Sequence, residues 1–199
     1  MSPFLLLGAC AWLGDPAPRD RPAPKTDAEL SGYSGQYNDE AERAFAEARV
    51  LWKRQLSSLA DAEVCTDPAK AVSLLDKSIA LEPEYMEAYA RRGLAKSELG
   101  EREAAFDDLT AAIRLRPLAE NYAYRALVSI RADDPRAAKR DLEYSLKLDD
   151  SQSRAHNFLG VLALRRDDAQ GACAAFDAGC SNGDCTFLEA ARQEAICQK

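Results

Sequence analysis

From Asn38 onward, apolar residues recur at the spacing of a helix face, with alanine abundant among them. Punctuation falls where helices should begin. Asp67-Pro68 and Asp134-Pro135 each set a side-chain acceptor before a first-turn proline. Asn38-Asp39-Glu40 starts a long first helix, expected to reach about Glu63 and to cap one end of the fold. Asp184 can cap a last helix, 185–197, that seals the other end. Ahead of Asn38 the pattern breaks. Met1 to Leu13 carries no charge, and its apolar run into Cys10 is too short to cross a bilayer, which takes about 20 apolar residues. Asp15 to Tyr37 is rich in Pro, Gly, Ser and charge, the composition of a flexible, partly extended tether.

The helical stretch also repeats itself. Met86 to Gly100 leads into Glu101 to Pro117, with aromatic Tyr89, small Gly93, turn residues Leu99-Gly100, small Ala105, apolar Leu109, small Ala112 and helix-ending Pro117. The register returns at Tyr122, Ala126, Ala138 and Leu142, and again at His156, Gly160, Ala172 and Phe176; upstream it holds Ala71, Leu75 and Pro83. This period and these slots closely resemble the tetratricopeptide repeat, from roughly Trp52 to Cys180. The resemblance implies an all-α, right-handed solenoid of about four helical hairpins, at 52–85, 86–118, 119–152 and 153–182, with capping helices at both ends, the last within 184–198. The physics agrees. Small residues at Gly93, Ala105 and Ala112 let paired helices approach closely, and a single pair must stack on a neighbour to bury its apolar stripe.

Charges give a second internal check. Arg92 and Asp108 stand just before Gly93 and Leu109, and Arg125 and Asp141 hold the same slots one repeat on. The slots carry Ser58 and Leu74 in the first repeat and Leu159 and Ala175 in the fourth. Both partners are present or both absent, which predicts an ion pair between the two helices of a repeat. Arg92 and Arg125 are therefore read as structural. His156, in the aromatic slot of the fourth repeat, is read as a packing residue.

In the tetratricopeptide family the first helices line a concave groove that takes peptides or partner helices. The matching positions here are Glu87, Ala90, Arg91, Leu94 and Ser97 in the second repeat. The third supplies Glu120, Ala123, Tyr124, Leu127, Ile130 and Arg131, and the fourth Arg154, Asn157, Val161, Leu164 and Arg165. The implied surface is apolar in the middle with arginines along it, suited to an extended peptide whose carboxylates meet guanidinium groups. The two-lysine, two-asparagine clamp of chaperone-tail-binding members is not reproduced. The sequence shows no glycine-rich phosphate loop, no paired histidines on a helix and no nucleophile elbow. No catalytic residue and no cofactor is expected, and a non-enzymatic scaffold for a protein or peptide partner is the reading.

Six cysteines change the picture, four of them in the last stretch: Cys173, Cys180, Cys185 and Cys197. Cys173 and Cys180 sit about 10.5 Å apart along one helix axis, beyond disulfide reach, so bridges must cross the hairpin. The nested pairing, Cys180 with Cys185 and Cys173 with Cys197, suits antiparallel helices; the crossed pairing stays open. The tail also resembles cysteine-rich helical-hairpin repeats, in which a bridge joins the end of one repeat to the start of the next, the role Cys180 and Cys185 match. Cys65 is left as a free thiol near a helix end. A tetrathiolate zinc site fits the spacings poorly, and no two cysteines stand two residues apart, as a redox pair would. No metal is expected.

Disulfides persist in oxidising compartments, which bears on the N-terminus. Leu7-Gly8-Ala9-Cys10 resembles the lipobox of bacterial lipoproteins, in which the cysteine becomes the lipidated first residue. The resemblance implies a signal peptide at 1–9, a tether at 10–37 and a folded region at 38–199, with membrane attachment through a lipid on Cys10 only. Ala11 after that cysteine implies the outer membrane, facing the periplasm. The chain has 199 residues and a net charge of −7, which disfavours a duplex nucleic-acid partner. Its single histidine removes multi-histidine metal sites. Two alternatives stand beside the envelope scaffold: a periplasmic redox or enzyme-accessory protein using the C-terminal cysteines, and a cytosolic adaptor with reduced cysteines.

Overall fold

A computed structural model describes residues 37–54 and 63–197. Cys10, Ser58, the expected signal and all of the expected tether except Tyr37 lie outside the described residues. In chain order the elements are α1 (Asp39–Arg49), β1 (Trp52–Arg54), β2 (Glu63–Cys65), α2 (Pro68–Leu81), α3 (Met86–Glu98), α4 (Arg102–Leu115), α5 (Ala119–Arg131), α6 (Pro135–Leu148), α7 (Ser153–Leu164), α8 (Ala169–Ser181) and α9 (Thr186–Gln193). The helices pack as successive hairpins, α1 with α2, α3 with α4, α5 with α6 and α7 with α8, and α9 closes on α8. This is an all-α helical-hairpin repeat fold. Among the described residues, no helix is long and apolar enough to cross a membrane.

The start signals act as read. Asp67 accepts from the Lys70 amide at 3.0 Å and Asp134 from the Ala137 amide at 2.9 Å, each before a proline that needs no amide partner. The first helix does not run to Glu63. It ends at Arg49, and the chain enters an antiparallel hairpin in which Trp52 faces Cys65. Leu51-Trp52 breaks the helical spacing, and the Thr66 amide and hydroxyl both donate to the Leu51 carbonyl, at 2.8 and 2.9 Å, closing the hairpin base. The first repeat is therefore α1 with α2, interrupted by an insertion; the helix pair expected from Trp52 is replaced by one that begins at Asp39. Cys65 lies on a strand and not at a helix end.

Small residues set the distance between paired helices. Ala71, Ala105, Ala138 and Ala172 on the second helices are 0% exposed, as is Ala126 on a first helix, and Gly93 lies against the Ala105 backbone. A methyl added at Gly93 would sit 2.9 Å from the Ala105 carbonyl oxygen and 2.9 Å from Leu109 Cγ; at Gly160 it would strike the Phe176 ring. Behind these contacts Leu75, Leu109, Leu142 and Phe176 are fully buried, each contributing about 1.5–3 kcal/mol by leaving water. Buried serines add directed bonds: Ser78 Oγ donates to the Ala41 carbonyl at 2.9 Å and Ser145 Oγ to that of Ala119 at 2.7 Å.

The charge pattern resolves into two bidentate ion pairs. Arg92 reaches both oxygens of Asp108, at 2.8 and 2.6 Å, and Arg125 both oxygens of Asp141, at 2.8 and 2.7 Å. Each arginine also reaches back one repeat, Arg92 to Asp76 at 2.6 Å and Arg125 to the Thr110 hydroxyl at 3.4 Å. Lys96 adds a second cation to Asp108 at 2.9 Å. Burial disfavours the charged guanidinium of Arg92 and of Arg125, but hydrogen bonding and charge from the aspartates outweigh it and raise both above the usual arginine value.

At the C-terminus, α9 is shorter than expected. It starts at Thr186, whose amide donates to Asp184 Oδ1 at 3.2 Å, and stops at Gln193. Ala195 takes a left-handed φ of 58°, and the Ile196 and Cys197 amides donate back to the Ala191 carbonyl. That reversal brings Cys197 to Cys173, with Cα atoms 5.6 Å apart. Cys180 pairs with Cys185, Cα atoms 3.9 Å apart, so the nested arrangement is the one present. Both ends of α9 are thus stapled to α8, while Phe187 stacks on Phe176 with centroids 5.8 Å apart and meets Phe158 edge-on at 6.1 Å.

Gly93→Ala lowers the unfolding free energy by about 2 kcal/mol, because the backbone carbonyl it meets cannot move aside; urea denaturation of the oxidised protein reads the change. An unchanged midpoint would contradict close packing at this crossing.

Candidate functional site

The surface expected to bind a partner is built from one stripe on each of α3, α5 and α7. On α3, Arg91 and Glu98 stand two turns apart and so share a face. On α5 the same holds for Glu120, Tyr124, Leu127 and Arg131, and on α7 for Arg154 and Val161, with Arg165 at the C-cap one turn further on. First helices of successive repeats touch directly, and these side chains make the contacts.

Tyr124 is the centre. Its ring is 4% exposed and carries the Arg91 guanidinium 5.6 Å and the Arg154 guanidinium 4.8 Å from its centroid. Its hydroxyl donates to Glu120 Oε1 at 2.6 Å, and Arg154 Nη1 donates to the same oxygen at 2.6 Å. Burial pushes the Tyr124 hydroxyl pKa far above its ordinary value, with the Arg154 and Arg91 charges pulling the other way. A proton donor pinned in this way is structural at any physiological pH.

Two further links cross the same gaps. Arg131 on α5 pairs with Glu98 on α3 at 3.6 Å, and Arg165 on α7 donates to the Ile130 carbonyl at 2.7 Å and reaches Asp133 at 3.5 Å. Glu87 accepts from the Tyr37 hydroxyl at 3.1 Å and faces Arg116 at 3.8 Å. Between the charged rows, Ala90, Leu94, Ala123, Leu127, Ile130 and Val161 are buried as the apolar floor. Ser97 and Leu164 are half-buried at its margin.

Asn157 does not belong to this surface. It is 0% exposed, packed where Gly179 leaves room for it, and its amide donates to the Asp184 carbonyl at 3.3 Å. The same slot is buried in the earlier repeats, where Ala90 and Ala123 occupy it. His156, read as a packing residue, is half-buried, with Nε2 2.8 Å from the Asp150 carbonyl.

The β1–β2 insertion, which sequence reasoning missed, reaches the same surface. The Trp52 ring centroid lies 5.4 Å from the Arg91 guanidinium, which also contacts Tyr124. The Cys65 amide donates to both oxygens of Glu98, at 3.2 and 3.0 Å. The Cys65 thiol itself is buried outside any disulfide, and burial raises its pKa above the ordinary thiol value. The adjacent apolar pair Leu51-Trp52, out of step with α1, was the available signal. No group of three or more metal-ligating side chains occurs among the described residues.

With this geometry in view, the chain resembles known proteins in its repeats. No protein-family model matches it. It is similar to tetratricopeptide repeat protein 13 of Homo sapiens, 32% identical over 114 residues, which is 57% of this chain and 13% of that protein. It is also similar to protein FlbA of Caulobacter vibrioides, 38% identical over 68 residues, 34% of this chain and 11% of that protein. The chain thus matches only a small part of the length of these curated relatives. Among solved structures it shares its fold with TTC0263, a tetratricopeptide protein of Thermus thermophilus, with a TM-score of 0.61 and 18% identity over 85% of this chain and 86% of that one. The fold is of tetratricopeptide type.

Glu98→Gln removes the carboxylate that anchors both the Cys65 amide and Arg131. Charge-assisted bonds of this kind are worth about 1.5–3 kcal/mol, so trypsin cleavage after Lys53 should speed up about tenfold or more, with Glu84→Gln as the exposed control. Equal rates would show that Glu98 does not hold the hairpin.

Proposed function

We propose that this chain is a non-enzymatic scaffold that holds a partner protein or peptide against the face formed by α3, α5 and α7. The observation that carries this reading is the cross-repeat ladder Trp52–Arg91–Tyr124–Arg154–Glu120. It fixes side chains of three consecutive helices before anything binds, which lowers the ordering cost of association. The same face offers aromatic and arginine groups over an apolar floor, the residue types that dominate binding energy at interfaces. No nucleophile–base arrangement accompanies it among the described residues.

The proposal extends to location. The lipobox resemblance at Leu7-Gly8-Ala9-Cys10 supports a lipid-anchored protein of a bacterial envelope, with Ala11 favouring the outer membrane. The two cysteine pairs at the C-terminus support an oxidising compartment such as the periplasm. These two lines of support are independent of each other.

Protein isolated from membranes of its native host should carry a diacyl- or triacylglyceryl group on Cys10, lack residues 1–9, and show four thiols that alkylate only after reduction. An unprocessed chain with every thiol free would overturn the envelope reading. Photo-crosslinkers placed at Ser97, Arg131 and Arg165 should capture one common partner, while the same group at exposed Arg140 on α6 captures none of it. Equal capture from Arg140 would remove the first-helix face as the docking surface.

A further inference from the structure

The solvent side of α6 carries positive charge that the chain does not neutralise. Arg136, Arg140 and Lys147 are exposed, and their spacing sets them within about 40° of one another around the helix. The row runs about 16 Å along the axis. Among the described residues, none of the three is paired with a carboxylate. Glu143 lies in the row, but Lys139 meets it at 3.6 Å, and Asp141 is taken by Arg125. The neighbouring second helices differ. On α4 the exposed cations Arg102 and Arg114 stand with exposed Glu103 and Asp107, and on α8 Asp177 faces Arg192 of α9.

Folding does not account for this row. Arg136 sits in the first turn of α6, where the helix dipole favours an anion, and no acidic residue joins it there. By contrast, α1 opens on Asp39, Glu40 and Glu42. Ala138, Leu142 and Ser145 are fully buried on the opposite side of α6, with Ser145 bonded to the Ala119 carbonyl of α5. The row therefore points away from α5 and from the face formed by α3, α5 and α7. It also lacks the apolar anchors of a protein interface. Leu148, the large apolar side chain exposed on α6, sits about a quarter-turn to one side.

Resting on the lipid-anchored envelope reading above, we infer that α6 lies against an anionic phospholipid surface, with Arg136, Arg140 and Lys147 meeting its headgroup phosphates. A negatively charged leaflet draws basic side chains that come within a Debye length, about 10 Å at 0.1 M salt. The chain between Cys10 and Tyr37 has the composition of a tether, and that length holds the folded region within about 30 Å of an anchoring lipid. A weak patch is thereby kept at high effective concentration over the membrane. The net charge of −7 means that the same lipid repels the rest of the surface. One orientation results: α6 faces the lipid, and the face of α3, α5 and α7 stays open to a partner.

The test is vesicle flotation of the full chain carrying Cys10→Ser, so that no lipid is attached. At low salt the chain should float with vesicles of phosphatidylglycerol and phosphatidylcholine in equal parts, not with phosphatidylcholine alone, and the binding should fade as salt rises. Arg136→Gln/Arg140→Gln/Lys147→Gln should bind at least tenfold less. Lys70→Gln/Arg102→Gln/Arg114→Gln removes the same charge from exposed positions on α2 and α4, and should change binding less than twofold. Matching thermal melts show that both variants fold. A photoactivatable phosphatidylglycerol should label α6 and leave α3 unlabelled. Binding to phosphatidylcholine alone, no binding to the anionic vesicles, equal losses in the two triple variants, or label on α3 instead of α6 would each overturn the proposal. An acidic protein captured from a crosslinker at Arg140, without vesicle binding, would overturn it in favour of a protein partner. The anchor is tested separately by the mass of the native protein: an unlipidated Cys10 removes the envelope reading whatever the vesicles show.

Discussion

Two helices can share a long contact only where their backbones come close, and in this chain a glycine on the first helix makes room for what the second helix brings against it. Gly93 leaves space for the Ala105 carbonyl and Leu109, and Gly160 for the ring of Phe176. The approach lets Leu109 and Phe176 leave water completely, and the ion pairs Arg92–Asp108 and Arg125–Asp141 then close the flank of the second and third hairpins. Buried pairs of this kind cost desolvation as well as gaining attraction. Their role is best seen in what they join: each arginine reaches both the helix beside it and the repeat before it. A hairpin alone could not bury both of its faces, so stability is shared between neighbours.

The ends show how such an array stops. At the C-terminus an eight-residue helix would be unstable by itself. It is held because Cys180–Cys185 and Cys173–Cys197 tie both of its ends to α8, and because Phe187 fills the space between Phe158 and Phe176. At the other end the first repeat carries an insertion between its two helices. The insertion returns to the first-helix face, where Trp52 and the Cys65 amide engage Arg91 and Glu98. The same two residues also contact α5, so the hairpin is coupled to the surface proposed for docking.

Most of the fold was legible because its signals are local and periodic. The slots at Gly93, Ala105, Ala126, Ala138, Gly160 and Ala172 announce the hairpins, and Asp67-Pro68 and Asp134-Pro135 announce second helices. The Arg–Asp slots were readable because they occur as pairs or not at all. The insertion was not legible: a fixed period projects the first repeat back to Trp52, whereas the chain uses α1 and then departs from the period. Asn157 was misplaced as well. Its slot is buried in the second and third repeats too, where Ala90 and Ala123 fill it, and in the fourth repeat the longer side chain lies against Gly179 and reaches the Asp184 carbonyl. The cross-repeat contacts of Tyr124 join residues 30 and 33 positions apart, beyond the reach of any local pattern.

The central claim is that α3, α5 and α7 form one continuous, prearranged surface. Native-state hydrogen exchange on the oxidised protein, followed through low urea, tests it most directly. The account predicts that amides of α3, α5 and α7 exchange through a single common opening, at the free energy of global unfolding. If α5 opened well below that free energy and independently of α3 and α7, the surface would not exist as a unit, and the account would be contradicted.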